Sequence, residues 1–112
     1  MNTPKSISLI FPVYRDKNTV RKVINKSLKI LRKLKKKYEI IIIDDGCPEK
    51  SGLVALNYSK KNSKVKVFFH KKNLGYGAAI RTGFKKSKYE CIYAVDGDGE
   101  FGIALNDLPR IL

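Results

Sequence analysis

Glu39-Ile40-Ile41-Ile42-Ile43-Asp44-Asp45-Gly46 is the stretch that decides the fold. Four isoleucines in a row leave no polar face, and a short β-branched run of this kind suits a strand covered on both sides, as strands of parallel sheets are. The run ends in two adjacent carboxylates and a glycine turn, so charge sits just past the strand's C-terminal end. Parallel neighbours need long crossovers, and helical segments are therefore expected before and after it.

Both are present. Upstream, Ile7 to Phe11 is a strand that ends at Phe11 or Val13 because Pro12 lacks a backbone donor. Tyr14, Arg15 and Asp16 follow in its loop, Asn18 or Thr19 caps a helix, and Val20, Val23, Ile24, Leu28, Leu31 and Leu34 form its three-four apolar stripe. Its other face is lysine- and arginine-rich from Arg21 to Lys37, with basic residues in the last turn where the helix dipole favours them. Downstream, Ser51 caps a short helix through Lys60, with Leu53, Val54, Leu56 and Tyr58 for packing, and Val65 to Phe69 is a third strand. His70 to Asn73 then lead into the glycine-rich run Leu74 to Phe84, which opens a helix. The small residues there allow close helix–sheet packing and room for a ligand at the helix N-terminus. A dinucleotide fingerprint would require glycine where Ile80 stands. Cys91 to Val95 is a fourth strand, and Leu105 to Leu112 starts another helix.

Strands alternating with helices give an α/β fold: an open, doubly wound, mostly parallel sheet of about four strands with helices on both faces. Pro12 to Asp16, Asp44-Asp45, Lys72-Asn73 and Asp96 to Glu100 each lie just past a strand's C-terminal end, where such sheets bind ligands. The last cluster, Asp96-Gly97-Asp98-Gly99-Glu100, sets three carboxylates on alternate positions with glycines between. Hard oxygen donors in that pattern suit Mg²⁺ or Mn²⁺. An EF-hand loop would need glycine at Phe101 and a helix ahead of it.

At 112 residues the chain makes one domain, and 24 basic against 10 acidic residues give it a formal net charge of +14. Nucleotides, nucleic acid and acidic lipid surfaces are all favoured at long range by that charge. Cys47 and Cys91 suggest neither a zinc site nor a redox pair, so a reduced cytoplasmic setting is expected. Met1 to Ser6 has no signal-peptide core and no segment approaches ~18 consecutive apolar residues, so any membrane contact is expected to be peripheral.

Pro12-Val13-Tyr14, Ile43-Asp44-Asp45-Gly46, Asn73 to Gly83 and Asp96-Gly97-Asp98, in that order, resemble the signatures of family 2 glycosyltransferases of GT-A fold, most of all the dolichol- or polyprenyl-phosphate mannosyl- and glucosyltransferase branch. The resemblance implies a metal-dependent, inverting transferase, or its donor-binding half, acting on a nucleotide-diphosphate-sugar such as GDP-mannose or UDP-glucose with a polyprenyl-phosphate or other acceptor. It implies that Pro12, Tyr14 and Asp16 line the nucleoside pocket, that Asp44 accepts a hydrogen bond from the base with Asp45 close by, and that Asn73 and Gly75 belong to the donor site. Asp96 and Asp98 become the DXD pair that ligates the metal, with Glu100 a further ligand where the branch often has Gln. Arg81 or Lys72 adds cationic help to the phosphates. Cys47 stands where the family usually has Ser, and the family's acceptor half and later catalytic motifs are absent from these 112 residues. A second reading, a non-catalytic basic protein that holds nucleic acid or an acidic membrane through the first helix, rests on charge alone, and the chain carries no nucleic-acid module.

Overall fold

The computed structural model describes residues 6–14, 17–34, 37–48, 51–89 and 91–94, with backbone only at 17, 19, 34 and 91–94. The chain runs β1 (Ser6–Val13), α1 (Lys17–Leu34), β2 (Lys37–Asp44), α2 (Gly52–Lys61), β3 (Val65–Phe69), α3 (Tyr76–Lys86) and β4 (Cys91–Ala94). The strands form one parallel sheet in the order β3-β2-β1-β4. Val13 pairs with Asp44 and Asp44 with Phe69, so three strands end level with one another.

Chain order reverses between β1 and β4. The first two crossovers step to one side and the third returns past β1, which puts α1 and α2 on one face and α3 on the other. That reversal makes the carboxyl ends of β1 and β4 a topological switch point, the place where open α/β sheets bind ligands.

The isoleucine run is buried on both faces, as its composition demands. Ile40 and Ile42 join Leu9, Phe11, Val20, Ile24, Leu31 and Ala55 under α1 and α2, whereas Ile41 and Ile43 join Ile10 and Ala79 under α3. Each such side chain stabilises the fold by roughly 1.5–3 kcal/mol when withdrawn from water. On the α3 side the approach is close because of Gly83, where an added Cβ would run into the Ile10 side chain.

Several expectations need correction. β1 runs through Pro12 and ends at Val13, the later of its two expected ends, but β2 begins at Lys37 rather than Glu39. Asn18 and Thr19 lie inside the first turn of α1, which starts at Lys17. Ser51 makes no side-chain cap for α2; Asp44 takes that part, its Oδ2 accepting the Gly52 N–H at 2.8 Å. Leu53 is about half exposed, and Gly52 and Ala55 are the buried residues of α2. Val95 and the helix expected from Leu105 lie outside the described residues.

Glu39 itself is 1% exposed. A charge so placed needs partners: Ser8 Oγ donates to Oε2 at 2.6 Å, Lys66 Nζ to Oε1 at 2.7 Å and the Lys88 N–H to Oε2 at 2.8 Å. Burial alone would raise this carboxyl, but those bonds outweigh it and hold Glu39 below the usual carboxylate range. The bond to Glu39 in turn raises Lys66. The cluster ties the segment before β4 to the strand starts, at the edge opposite the strands' carboxyl ends.

Candidate functional site

At the carboxyl edge the loops after β1, β2 and β3 are fastened together by backbone and carboxylate bonds. The Asp45 N–H donates to the Val13 carbonyl at 3.1 Å, and the His70 N–H donates to the Asp44 carbonyl at 2.8 Å. Gly46 turns with φ +69°, and a Cβ there would collide with the backbone of Lys72 and Asn73. The Asp-Asp-Gly turn therefore lies directly against the loop that enters α3.

Asp44 is 2% exposed, and each of its oxygens accepts a backbone N–H, Oδ1 from Cys47 at 2.7 Å and Oδ2 from Gly52 at 2.8 Å. It closes the turn that leads into α2. The hydroxyl that Cys47 lacks is not needed for that turn, and its Sγ lies 3.2 Å from Ser51 Oγ.

Asp45 is the hub of the edge. Its Oδ1 accepts from the Leu74 N–H at 2.9 Å and lies 2.8 Å from His70 Nδ1, while Oδ2 accepts from the Gly75 N–H at 2.9 Å. Burial pushes this carboxyl upward, but the bonds from His70, Leu74 and Gly75 prevail and hold it below the usual range. A carboxylate at the start of α3 is also favoured by the helix dipole. The expectation of ligand room at that N-terminus thus meets an internal anion that already occupies the Leu74 and Gly75 donors.

With both aspartates turned inward, the exposed charge nearby among the described residues belongs to Lys71 and Lys72 on the loop and Arg81 on α3. Arg81 folds back along its helix, where Nη1 would stand 3.7 Å from a Cβ at Gly77. A cleft of about 420 Å³ opens beside the turn, lined by Asp44, Gly46, Cys47, Leu53, Phe69, His70 and Lys71. Leu53 and Phe69, each 47% exposed, give it apolar walls.

The structure thus gathers Pro12, Tyr14, Asp44, Asp45, Lys72, Asn73 and Gly75 at one edge, with Arg81 one turn into α3. Asp16, Asp96, Asp98 and Glu100 lie outside the described residues. β4 pairs with β1 through Ala94 opposite Ile10, so it runs toward this same edge two residues before Asp96. Among the described residues no group of three His, Cys, Asp or Glu side chains could hold a metal ion. Sequence reasoning passed over His70 and Thr82, whose Oγ1 lies 2.8 Å from His70 Nε2. The available signal was the chain's one histidine standing at the end of a strand.

Sheet order and edge together define an open, doubly wound α/β class of domain. The particular family follows from the sequence: residues 8–105 match Glycosyl transferase family 2, and the chain belongs to that family. It is 34% identical over 102 residues to dolichyl-phosphate beta-glucosyltransferase of Homo sapiens and 33% identical over 102 residues to that of Mus musculus, in each case 85% of this chain and 32% of the relative. The chain therefore spans about a third of the length of these relatives. Among solved structures it is similar to mannosyltransferase PcManGT from Pyrobaculum calidifontis in complex with GDP-Man and Mn²⁺, with a TM-score of 0.67 and 14% identity over 87% of this chain and 28% of that one. That likeness supports the GT-A fold.

Proposed function

We propose that residues 1–112 form the donor-binding part of an inverting glycosyltransferase. It takes a sugar from a nucleotide-diphosphate-sugar, GDP-mannose or UDP-glucose, for transfer to a polyprenyl phosphate or related acceptor. The observation that carries this reading is the polarity of the loop edge. Its two described carboxylates are buried and bonded to backbone N–H groups, while Lys71, Lys72 and Arg81 are exposed, so the loop after β3 and the start of α3 offer positive charge to a diphosphate.

Within it, Pro12, Tyr14 and Asp16 line the nucleoside side, and Asp44 offers its remaining lone-pair capacity to the base. Asp45 works at one remove, holding Asn73 to Gly75 in place through the Leu74 and Gly75 N–H groups. Lys72 and Arg81 draw the phosphates. Asp96, Asp98 and Glu100 supply hard oxygen donors of the kind that fit Mg²⁺ or Mn²⁺, which when bound offsets negative charge on the departing nucleoside diphosphate. A lipid-phosphate acceptor is already anionic and needs little help from a general base. Among the described residues no helix is long and apolar enough to cross a membrane. A cytoplasmic site with peripheral contact at the membrane face fits such an acceptor.

Calorimetry with UDP-glucose and GDP-mannose in the presence of Mn²⁺ tests the reading. Binding of one of them, weakened at least tenfold by Asp96→Ala, is expected. No heat with any nucleotide-sugar, or an Asp96→Ala chain that matches the parent, refutes it.

A further inference from the structure

Away from the loop edge, the outer side of α1 and α2 forms a second distinctive surface. The two helices lie side by side on one face of the sheet, and between them runs a groove of about 620 Å³ lined by Asn25, Leu28, Lys29, Arg32, Lys33, Tyr58, Lys61 and Asn62. Neither helix contains an acidic residue. Seven of their cations are exposed, namely Arg21, Lys22, Lys29, Arg32, Lys33, Lys60 and Lys61, against three on α3 across the sheet. The floor is Leu28 and the half-buried Tyr58, an apolar base under a cationic rim.

From this we infer that the α1–α2 face docks on an anionic phospholipid surface. Charge complementarity argues for it: the face carries one sign only, and α1, roughly 27 Å long at 1.5 Å per residue, presents that charge along a line. Geometry argues for it as well. α1 starts at Lys17, four residues past the end of β1, and the first N–H of α2 is held by Asp44, so both helices begin at the ligand edge. Laid against headgroups, this face sets the sheet one helix layer, roughly 10 Å, from the lipid, with the loop edge alongside. A lipid phosphate can then reach the edge without leaving the bilayer. The inference rests on the proposed lipid-phosphate acceptor for its purpose and on the surface alone for the contact.

Two matched variants of the whole chain test it. Arg32→Gln with Lys33→Gln removes two charges from the last turn of α1, and Lys85→Gln with Lys86→Gln removes two from the last turn of α3. Flotation with phosphatidylcholine vesicles, with and without phosphatidylserine, reads the bound fraction. Each cation near an anionic surface is worth roughly a fivefold gain in binding, so the α1 pair lowers affinity for the anionic vesicles roughly 25-fold while the α3 pair leaves it nearly unchanged. Equal losses from both pairs, no binding to anionic vesicles, or preference for duplex DNA over the vesicles overturns the inference. Calorimetry of both variants with the nucleotide-sugars separates the two proposals. Donor heat without vesicle binding defeats the docking face alone, and vesicle binding without donor heat defeats the donor site alone.

Discussion

His70 Nδ1 and Asp45 Oδ1 stand 2.8 Å apart, and the other ring nitrogen lies 2.8 Å from Thr82 Oγ1, so one imidazole joins the end of β3 to the β2 loop and to α3. With Asp45 ionised, Nδ1 carries the hydrogen, and in the neutral ring Nε2 accepts from the Thr82 hydroxyl. This bridge holds the Lys71 to Gly75 loop from beneath.

Replacing the ring by His70→Ala leaves a buried carboxylate short of one charge-assisted bond, at a cost of about 1–3 kcal/mol in stability. Urea unfolding measures that cost. His70→Asn, whose amide can donate to Asp45, is expected to recover part of it. Donor affinity should fall with the alanine variant and return with asparagine, because the loop carrying Lys72 and Asn73 is what the ring supports. An alanine variant as stable as the parent would show that the bridge bears no load.

Stability should depend on acid through Asp45 and Glu39. Both carboxyls lie below their usual range in the folded chain, so the unfolded chain binds protons first as pH falls. Their contribution is complete above the unfolded carboxylate pKa of about 4 and is lost as pH drops through the lowered folded values. Lys66 is raised, so its share is complete below the unfolded lysine pKa of about 10.4 and is lost as pH climbs through the folded value. Urea midpoints from neutral pH downward are expected to hold until about pH 4 and then fall. Glu39→Gln should start lower and fall less steeply; a parent profile flat through this range would contradict the assignment.

How much of this was readable beforehand depends on the physics at each position. The isoleucine run and the stripe from Val20 to Leu31 announced themselves because burial against a sheet or under a helix forces periodicity, and both are buried as their patterns require. The gathering of the loops after β1, β2 and β3 at one edge was legible too, since strand direction alone fixes it. Side-chain partnership was not. Nothing in the order Asp44-Asp45 says that one carboxylate turns toward α2 and the other toward α3, and Ser51 looked like a cap because local composition cannot show that Asp44, seven residues earlier, holds the same helix. Glu39 was hidden among strand residues for the same reason: its partners Ser8, Lys66 and Lys88 are remote in sequence.

Three glycines of the loop edge should respond to alanine in graded fashion. Gly46 has φ +69° and its Cβ position is filled by the backbone of Lys72 and Asn73, which cannot swing aside as a side chain can. Gly46→Ala is therefore expected to cost roughly 2–5 kcal/mol, combining left-handed strain with displacement of a neighbouring loop. Gly75 has φ +100° but nothing within 4 Å of its Cβ position, so Gly75→Ala meets backbone strain alone, roughly 1–3 kcal/mol. Gly77 sits in α3 with only Arg81 Nη1 nearby at 3.7 Å, and alanine there should be neutral or stabilising by up to about 1 kcal/mol through helix propensity. Urea unfolding of the three variants measures the order directly. If Gly46→Ala unfolds no more easily than Gly75→Ala, the β2 turn does not press on the α3 loop, and the contact that unites the edge is lost with it.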